Sequence, residues 1–216
     1  MTETVDLTPI QFTTAEFLRM AEAGILDRLC FTTEEFEALA EIGILEEGGN
    51  YELIDGRIYP MAPELYDQAS RARRIAELFQ HRIGQIGLRW GDYVQEGHPI
   101  EIPRFNEPEP DVALLYGEPG RTPRPVDVRL LVEISHTTYR KDRGVKWRMY
   151  AAAGIPEYWI VRMEDDEPRV LEVYRRPEGT GDQAVYHEQA TYGYDDQVEV
   201  MTWPELGLFE VEDVLG

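Results

Sequence analysis

Apolar and polar positions alternate along 128–135 (VRLLVEIS), so that Leu131, Glu133 and Ser135 fall on one face of a predicted strand and Val132 and Ile134 on the other. The period lengthens to that of a helix over 139–153, which Gly154 and Pro156 end, and a further strand, EYWIV, follows. Upstream, 64–89 predicts one long helix with Ile75, Leu78, Phe79, Ile83 and Ile86 on its apolar side. Arg71, Arg82 and Arg89 line up beside that stripe, as a solvated edge in the plainer reading and as a phosphate-tracking row in the sharper one. In YELIDGRIYPMAP two apolar stretches are separated by Asp55-Gly56, a hairpin signal that places Glu52 in the first strand. DYVQEGHPIEI and PDVALLY predict two more strands, the second entered through Pro110 and Asp111. RVLEVYRR, AVYHEQATYG and the tail LGLFEVEDVLG complete the pattern.

The chain opens on a short tandem repeat, FTTAEFLRMAEAGIL at 12–26 and FTTEEFEALAEIGIL at 31–45, each copy reading as a Thr-capped amphipathic helix that stops at glycine. Two copies are too few for a solenoid. They read as a duplicated packing helix, with a partner-binding arm as the alternative. Strands interleaved with helices predict an α/β (α+β) fold, a mixed sheet with helices packed against it. At 216 residues the chain suits a single core.

Charge alters the picture only when it is mapped. The formal net charge of −21 argues against a polyanionic partner if taken whole. Residues 1–67 hold 15 acids and 3 bases, as do residues 163–216, whereas residues 68–162 hold 12 acids and 15 bases. The middle of the chain is therefore the part able to face phosphates, and Lys141 and Lys146, the only two lysines, lie in it. No apolar run approaches the roughly 20 residues of a membrane span, and the acidic start MTETVDL is unlike a signal peptide, so a cytoplasmic protein is expected. A single cysteine, Cys30, agrees with a reducing compartment and reads as a packing residue.

Glu133 carries the chemistry. An ionised carboxylate in a low-dielectric strand costs several kcal/mol unless it is paired. If the strands of Asp111 and Glu133 are adjacent, the two carboxylates meet at one sheet edge and match the shell of a hard cation such as Mg²⁺. Lys146, on the following helix, then supplies the cation that orients water and offsets developing charge. The ion-pair alternative stays open on spacing alone, with Lys146 on Asp142, and Arg143 or Arg148 on Glu133. In RKDRGVKWR, five of nine residues are basic, which suits a phosphate. The four histidines show no zinc-helix spacing, no P-loop, dinucleotide fingerprint or nucleophile elbow is present, and Trp147 and Trp159 read as core.

YELIDGRIYPMAP, EPDVALLY, LLVEISHTTYRKDRGVKWRMYAAAGIPEYWIV and GLFEVEDVLG resemble, in order from about residue 31 to the end, the Uma family of restriction-endonuclease-like proteins, a branch of the PD-(D/E)xK nuclease superfamily. The resemblance implies a restriction-endonuclease-like domain over 31–216 behind an N-terminal extension over 1–30. It implies an Mg²⁺-dependent endonuclease acting on DNA, with Mn²⁺ able to substitute and a homodimer as working unit. Asp111 and Glu133 then match the metal ligands, and Glu52 of YELIDG a supporting acid. The superfamily lysine, expected two residues after Glu133 where Ser135 stands, is displaced to Lys146. Arg140 and Arg143 are the expected nucleic-acid contacts. His136 stands where relatives more usually have proline, and Gln68 or a neighbour stands where they often have histidine. The rival readings are a non-catalytic binding or assembly module and a small-molecule phosphoesterase.

Overall fold

A computed structural model describes residues 19, 30–45, 51–61, 66–87, 91–118, 120–136, 138–163 and 169–216. The first copy of the FTT repeat lies, except for Arg19, outside the described residues. The second copy forms α1 (Thr33–Glu41), where Thr32 and Glu35 close a reciprocal capping box and Gly43, at φ 71°, follows the helix end. Cys30 is exposed, which corrects the packing role read from the sequence.

Strands β1 (Tyr51–Ile54) and β2 (Arg57–Pro60) form the expected hairpin. Both turn residues have positive φ, Asp55 at 50° and Gly56 at 71°, as a type I′ turn requires. Helix α2 (Tyr66–Ile86) buries Ile75, Phe79 and Ile83 on its predicted stripe, while Ile86 at the end is exposed. Arg71 and Arg82 form neither a solvated edge nor a phosphate row, and Arg89 lies outside the described residues. Arg71 is buried and donates to the Gly216 carbonyl, and Arg82 donates to the Leu208 carbonyl and lies over the Phe209 ring, so the two hold the C-terminal segment onto the helix.

A mixed α/β arrangement follows. Six strands lie side by side in chain order: β3 (Asp92–Glu96), β4 (Val112–Tyr116), β5 (Val128–Ser135), β6 (Glu157–Arg162), β7 (Val170–Glu178) and β8 (Val185–Tyr192). All neighbours are antiparallel except β5 and β6, and a parallel pair needs a crossover. That crossover is the helical stretch after β5: α3 (Tyr139–Lys141), a π-helical turn (Asp142–Lys146) and α4 (Trp147–Ala152).

The alternation read along β5 decides both cores. Val132 and Ile134 face α2 in a core shared with Val112, Leu114, Trp159 and Phe79. Leu131 faces the crossover in a second core with Met149, Tyr150, Tyr158 and Ile160, and Trp147 packs against it. A bulge between Leu114 and Leu115 shifts the register on β4, which sends Val128 into the second core although Leu130 belongs to the first. The tail, β9 (Gln197–Glu199), β10 (Leu208–Glu210) and α5 (Val211–Leu215), covers the α2 side with Trp203, Phe209 and Val214. No helix among the described residues is long and apolar enough to cross a membrane.

Glu107, which bridges β1 through Leu53, is held high, at about 7, by burial and by the neighbouring Glu37 and Glu101 carboxylates. A carboxyl raised in the folded state favours folding below its unfolded value and loses that contribution as pH rises through about 7. Glu107→Gln is expected to stabilise the protein by about 1–2 kcal/mol at pH 8, allowing for its partial exposure, and to change nothing near pH 4. Denaturant unfolding at the two pH values measures the difference.

Candidate metal and phosphate centre

The register of β4 on β5 pairs Val112 with Val132, and one step further sets Asp111 opposite Glu133. The two carboxylates thus share one face at one edge of the sheet. Asp111 Oδ2 accepts the Ile134 backbone N–H at 2.5 Å, which ties the start of β4 to the end of β5. The Ile134 carbonyl is held from α2, where Gln68 Nε2 donates to it at 3.1 Å. The position noted in the sequence as departing from the family pattern therefore stands at the centre.

The crossover supplies the cations. A four-residue spacing drifts around an α-helix, and the slower rotation per residue of the i→i+5 turn counters that drift. Asp142, Lys146 and Tyr150 consequently all face the sheet and are buried. Lys146 Nζ lies 2.9 Å from Glu133 Oε1 and 3.2 Å from Glu52 Oε2, and Tyr150 donates its hydroxyl to the same Glu133 oxygen at 2.8 Å. Glu52, fully buried on β1, also binds Lys141. Of the ion pairs considered from the sequence, none forms as expected. Glu133 is met by Lys146, Arg143 reaches Glu172 at 3.3 Å, and Arg148 is exposed.

The carboxylates are not treated alike. Burial pushes Glu52 up, but Lys146 and Lys141 outweigh it and hold the group below its ordinary value. Glu133 is driven well above the ordinary range by burial and by the Asp142 and Asp111 carboxylates, which its single lysine does not offset. Burial pulls Lys146 down, yet Glu133, Glu52 and Asp142 raise it beyond its ordinary value, so it stays cationic. Glu133, with the Asp142 and Asp111 carboxylates beside it, meets one lysine where Glu52 meets two.

Among the described residues no three His, Cys, Asp or Glu side chains form a closed metal cage. Two carboxylates opposite each other on adjacent strands, Glu133 buried and Asp111 half-buried, suit instead a hard cation whose shell is completed by water and substrate oxygens. Asp142 Oδ2 accepts from Ser135 Oγ at 2.5 Å and from Thr138 Oγ1 at 2.6 Å. Ser135 thus anchors the crossover from the position where the superfamily pattern has its lysine. Arg140 and Arg143 are exposed on the outer side of the same turn.

The family model described as "Putative restriction endonuclease", Uma2, matches residues 33–208. The chain belongs to this family. No curated protein matches it. Among solved structures, a putative nuclease belonging to DUF820 from Anabaena variabilis is 14% identical, with a TM-score of 0.63 over 86% of this chain and 97% of that one, a likeness of fold. Uma2 membership covers β1 through the start of β10, and hence every residue of the centre.

Sequence reasoning named Glu52, Glu133 and Lys146, which the structure brings to one place, but missed the parts that Tyr150 and Lys141 play there. Tyr150 and Lys146 do share a four-residue spacing, a signal that a hydroxyl and an ammonium face the same carboxylate. Lys141 pairs with a residue 89 positions away, which no local pattern encodes. The charge deficit makes a prediction about stability. Lys146→Met, which strands two buried carboxylates, is expected to cost about 3 kcal/mol. Glu133→Gln, which relieves repulsion, is expected to be neutral or stabilising. Urea unfolding of both decides it, and equal destabilisation would refute the charge account.

Proposed function

We propose that this Uma2 protein is a divalent-metal-dependent endonuclease that hydrolyses phosphodiester bonds of DNA. The observation that carries the reading is that the β4–β5 register sets Asp111 opposite the buried Glu133, with the Lys146 ammonium 2.9 Å from the Glu133 carboxylate. Asp111 and Glu133 would hold Mg²⁺, with Mn²⁺ able to replace it, and Glu52 supports from behind Lys146. The metal, when bound, polarises a phosphoryl oxygen and lowers the pKa of a water.

The chain's own residues do the rest. Lys146 is cationic and so acts by charge, not as a base: its ammonium offsets the negative charge that develops as the water oxygen–phosphorus bond forms and the phosphorus–ester oxygen bond breaks. Glu52 keeps that ammonium in place, and Tyr150 fixes the Glu133 carboxylate by its hydroxyl. Asp111 and Gln68 hold the Ile134 peptide, which sets the distance between the ends of β4 and β5. Arg140 and Arg143, exposed on the crossover, contact the phosphates of the strand. A single centre cuts a single strand, so cutting both strands calls for two copies of the chain, and a homodimer acting in the cytoplasm is the working unit of this reading.

Two measurements test it. Titration calorimetry with Mn²⁺ and Mg²⁺, alone and with a DNA duplex, is expected to show binding in the wild type that Asp111→Asn and Glu133→Gln abolish. In a plasmid-cleavage assay both variants are expected to lose roughly 100-fold or more of the metal-dependent rate, and Lys146→Met a comparable amount. A wild-type protein that binds duplex but never cleaves it with either metal would instead establish a non-catalytic binding module.

A further inference from the structure

Among the described residues the β1–β2 hairpin joins no strand of the six-stranded sheet, yet it carries Glu52 to Lys141 and Lys146. Its seat is a seam with the segment 102–107 ahead of β4. Leu53 and Glu107 exchange backbone hydrogen bonds at 3.3 and 2.8 Å, the Gly56 N–H donates to the Phe105 carbonyl at 2.8 Å, and the Asp55 N–H donates to Asn106 Oδ1 at 2.7 Å. Helix α1 is tied to the same seam, by the Phe31 N–H on the Gly56 carbonyl at 2.8 Å and the Thr33 N–H on the Arg104 carbonyl at 3.0 Å. Glu52 is thus held in place by a joint in which Glu107 pairs with the very next residue, Leu53.

Three acids from separate segments meet at this joint. Glu107 is half-buried, and the charged groups that act on it are Glu37 of α1 and Glu101. Glu101 is paired, with Arg124 Nε at 2.9 Å and Nη2 at 3.1 Å. Arg104, the other base of the seam, lies over the Phe105 ring, 5.4 Å from its centroid, and its charge acts on Glu34. Burial first, then Glu37, then Glu101 push the Glu107 carboxyl up, to about 7. With its proton the group is neutral between two carboxylates. Ionised, it puts a third negative charge into a half-buried seam, and opening the joint to water relieves it. The closed joint therefore has its full stability below the ordinary value of 4.5 and loses it as pH rises through about 7.

We propose that the β1–β2 hairpin is a pH-sensitive arm: protonated Glu107 latches it to the 102–107 segment with Glu52 against Lys146, and ionised Glu107, facing Glu37 and Glu101, loosens the latch so that Glu52 leaves Lys146 more often. Lys146 keeps Glu133 when Glu52 leaves, so the centre passes from an ammonium shared by two carboxylates to one held by Glu133. The latch goes beyond the nuclease reading and does not require it, because it sets how firmly a carboxylate is held against that ammonium whatever chemistry the ammonium serves.

Amide hydrogen exchange of the full chain, followed by mass spectrometry at pH 6 and pH 8 and corrected for the intrinsic pH dependence of exchange, reads the arm directly. With the carboxyl at 4.5 in the open joint and about 7 in the closed one, opening of peptides covering 51–60 is expected to rise about tenfold between the two pH values, relative to peptides of β5 and β6. Glu107→Gln is expected to hold its pH 6 protection at pH 8. Glu37→Gln, an exposed position on α1, removes one of the two repelling charges and is expected to reduce the rise roughly two-fold. A hairpin whose opening changes with pH no more than that of β5 and β6 overturns the latch, and so does a rise that Glu107→Gln retains. Should Glu107→Gln fail to fold, Glu37→Gln decides, and a rise equal to that of the wild type overturns the latch. The exchange is measured without metal or DNA, so failure of the latch leaves the nuclease reading standing, and a protein that never cleaves DNA leaves the latch standing.

Discussion

One buried ammonium organises the centre. Lys146 is 3% exposed, and a cation so placed is tolerable only with carboxylates against it. It draws on two, Glu133 from the central sheet and Glu52 from the β1–β2 hairpin, and thereby ties three separate elements together. The arrangement does not close on itself. Glu52 is satisfied by a second lysine, but Glu133 shares Lys146, accepts a neutral hydroxyl and has two further acids nearby. A fold that wanted only stability would remove that imbalance with an apolar residue. Carboxylates set opposite one another on β4 and β5, beside one ammonium, are a donor set that suits a hard divalent cation.

The backbone is shaped to this demand. The π-helical turn at Asp142–Lys146 keeps three successive inward residues on the sheet, and Ser135 and Thr138 pin the turn through Asp142. Asp111 accepts the Ile134 N–H and Gln68 donates to the Ile134 carbonyl, so α2 and β4 are both referenced to the strand that carries Glu133. Residues that touch no substrate thus hold those that would.

The overall acidity is reconciled with a polyanionic substrate by how the bases are spent. Arg129 is bound to Asp92, Arg121 to Asp127, Arg124 to Glu101 and Arg175 to Glu157, while Arg71 and Arg82 fasten the C-terminal segment. These arginines therefore serve the fold, while Arg140 and Arg143 are exposed on the crossover.

Much of this was legible in the residues themselves. The period of two along VRLLVEIS named the two faces of β5, Asp55-Gly56 named the turn between β1 and β2, and the EPDVALLY and DRGVK stretches named Asp111 and Lys146. These are local signals, set by backbone sterics and by which side of a strand or helix must avoid water. What the sequence could not disclose depends on contacts between distant segments: that Lys141 answers Glu52, that Tyr150 rather than an arginine completes Glu133, that the arginine row of α2 holds the tail, and that Cys30 is exposed. Strand order and register decide which charges become neighbours, and a carboxylate's protonation follows from the charges and water around it, quantities that exist only once the chain has folded.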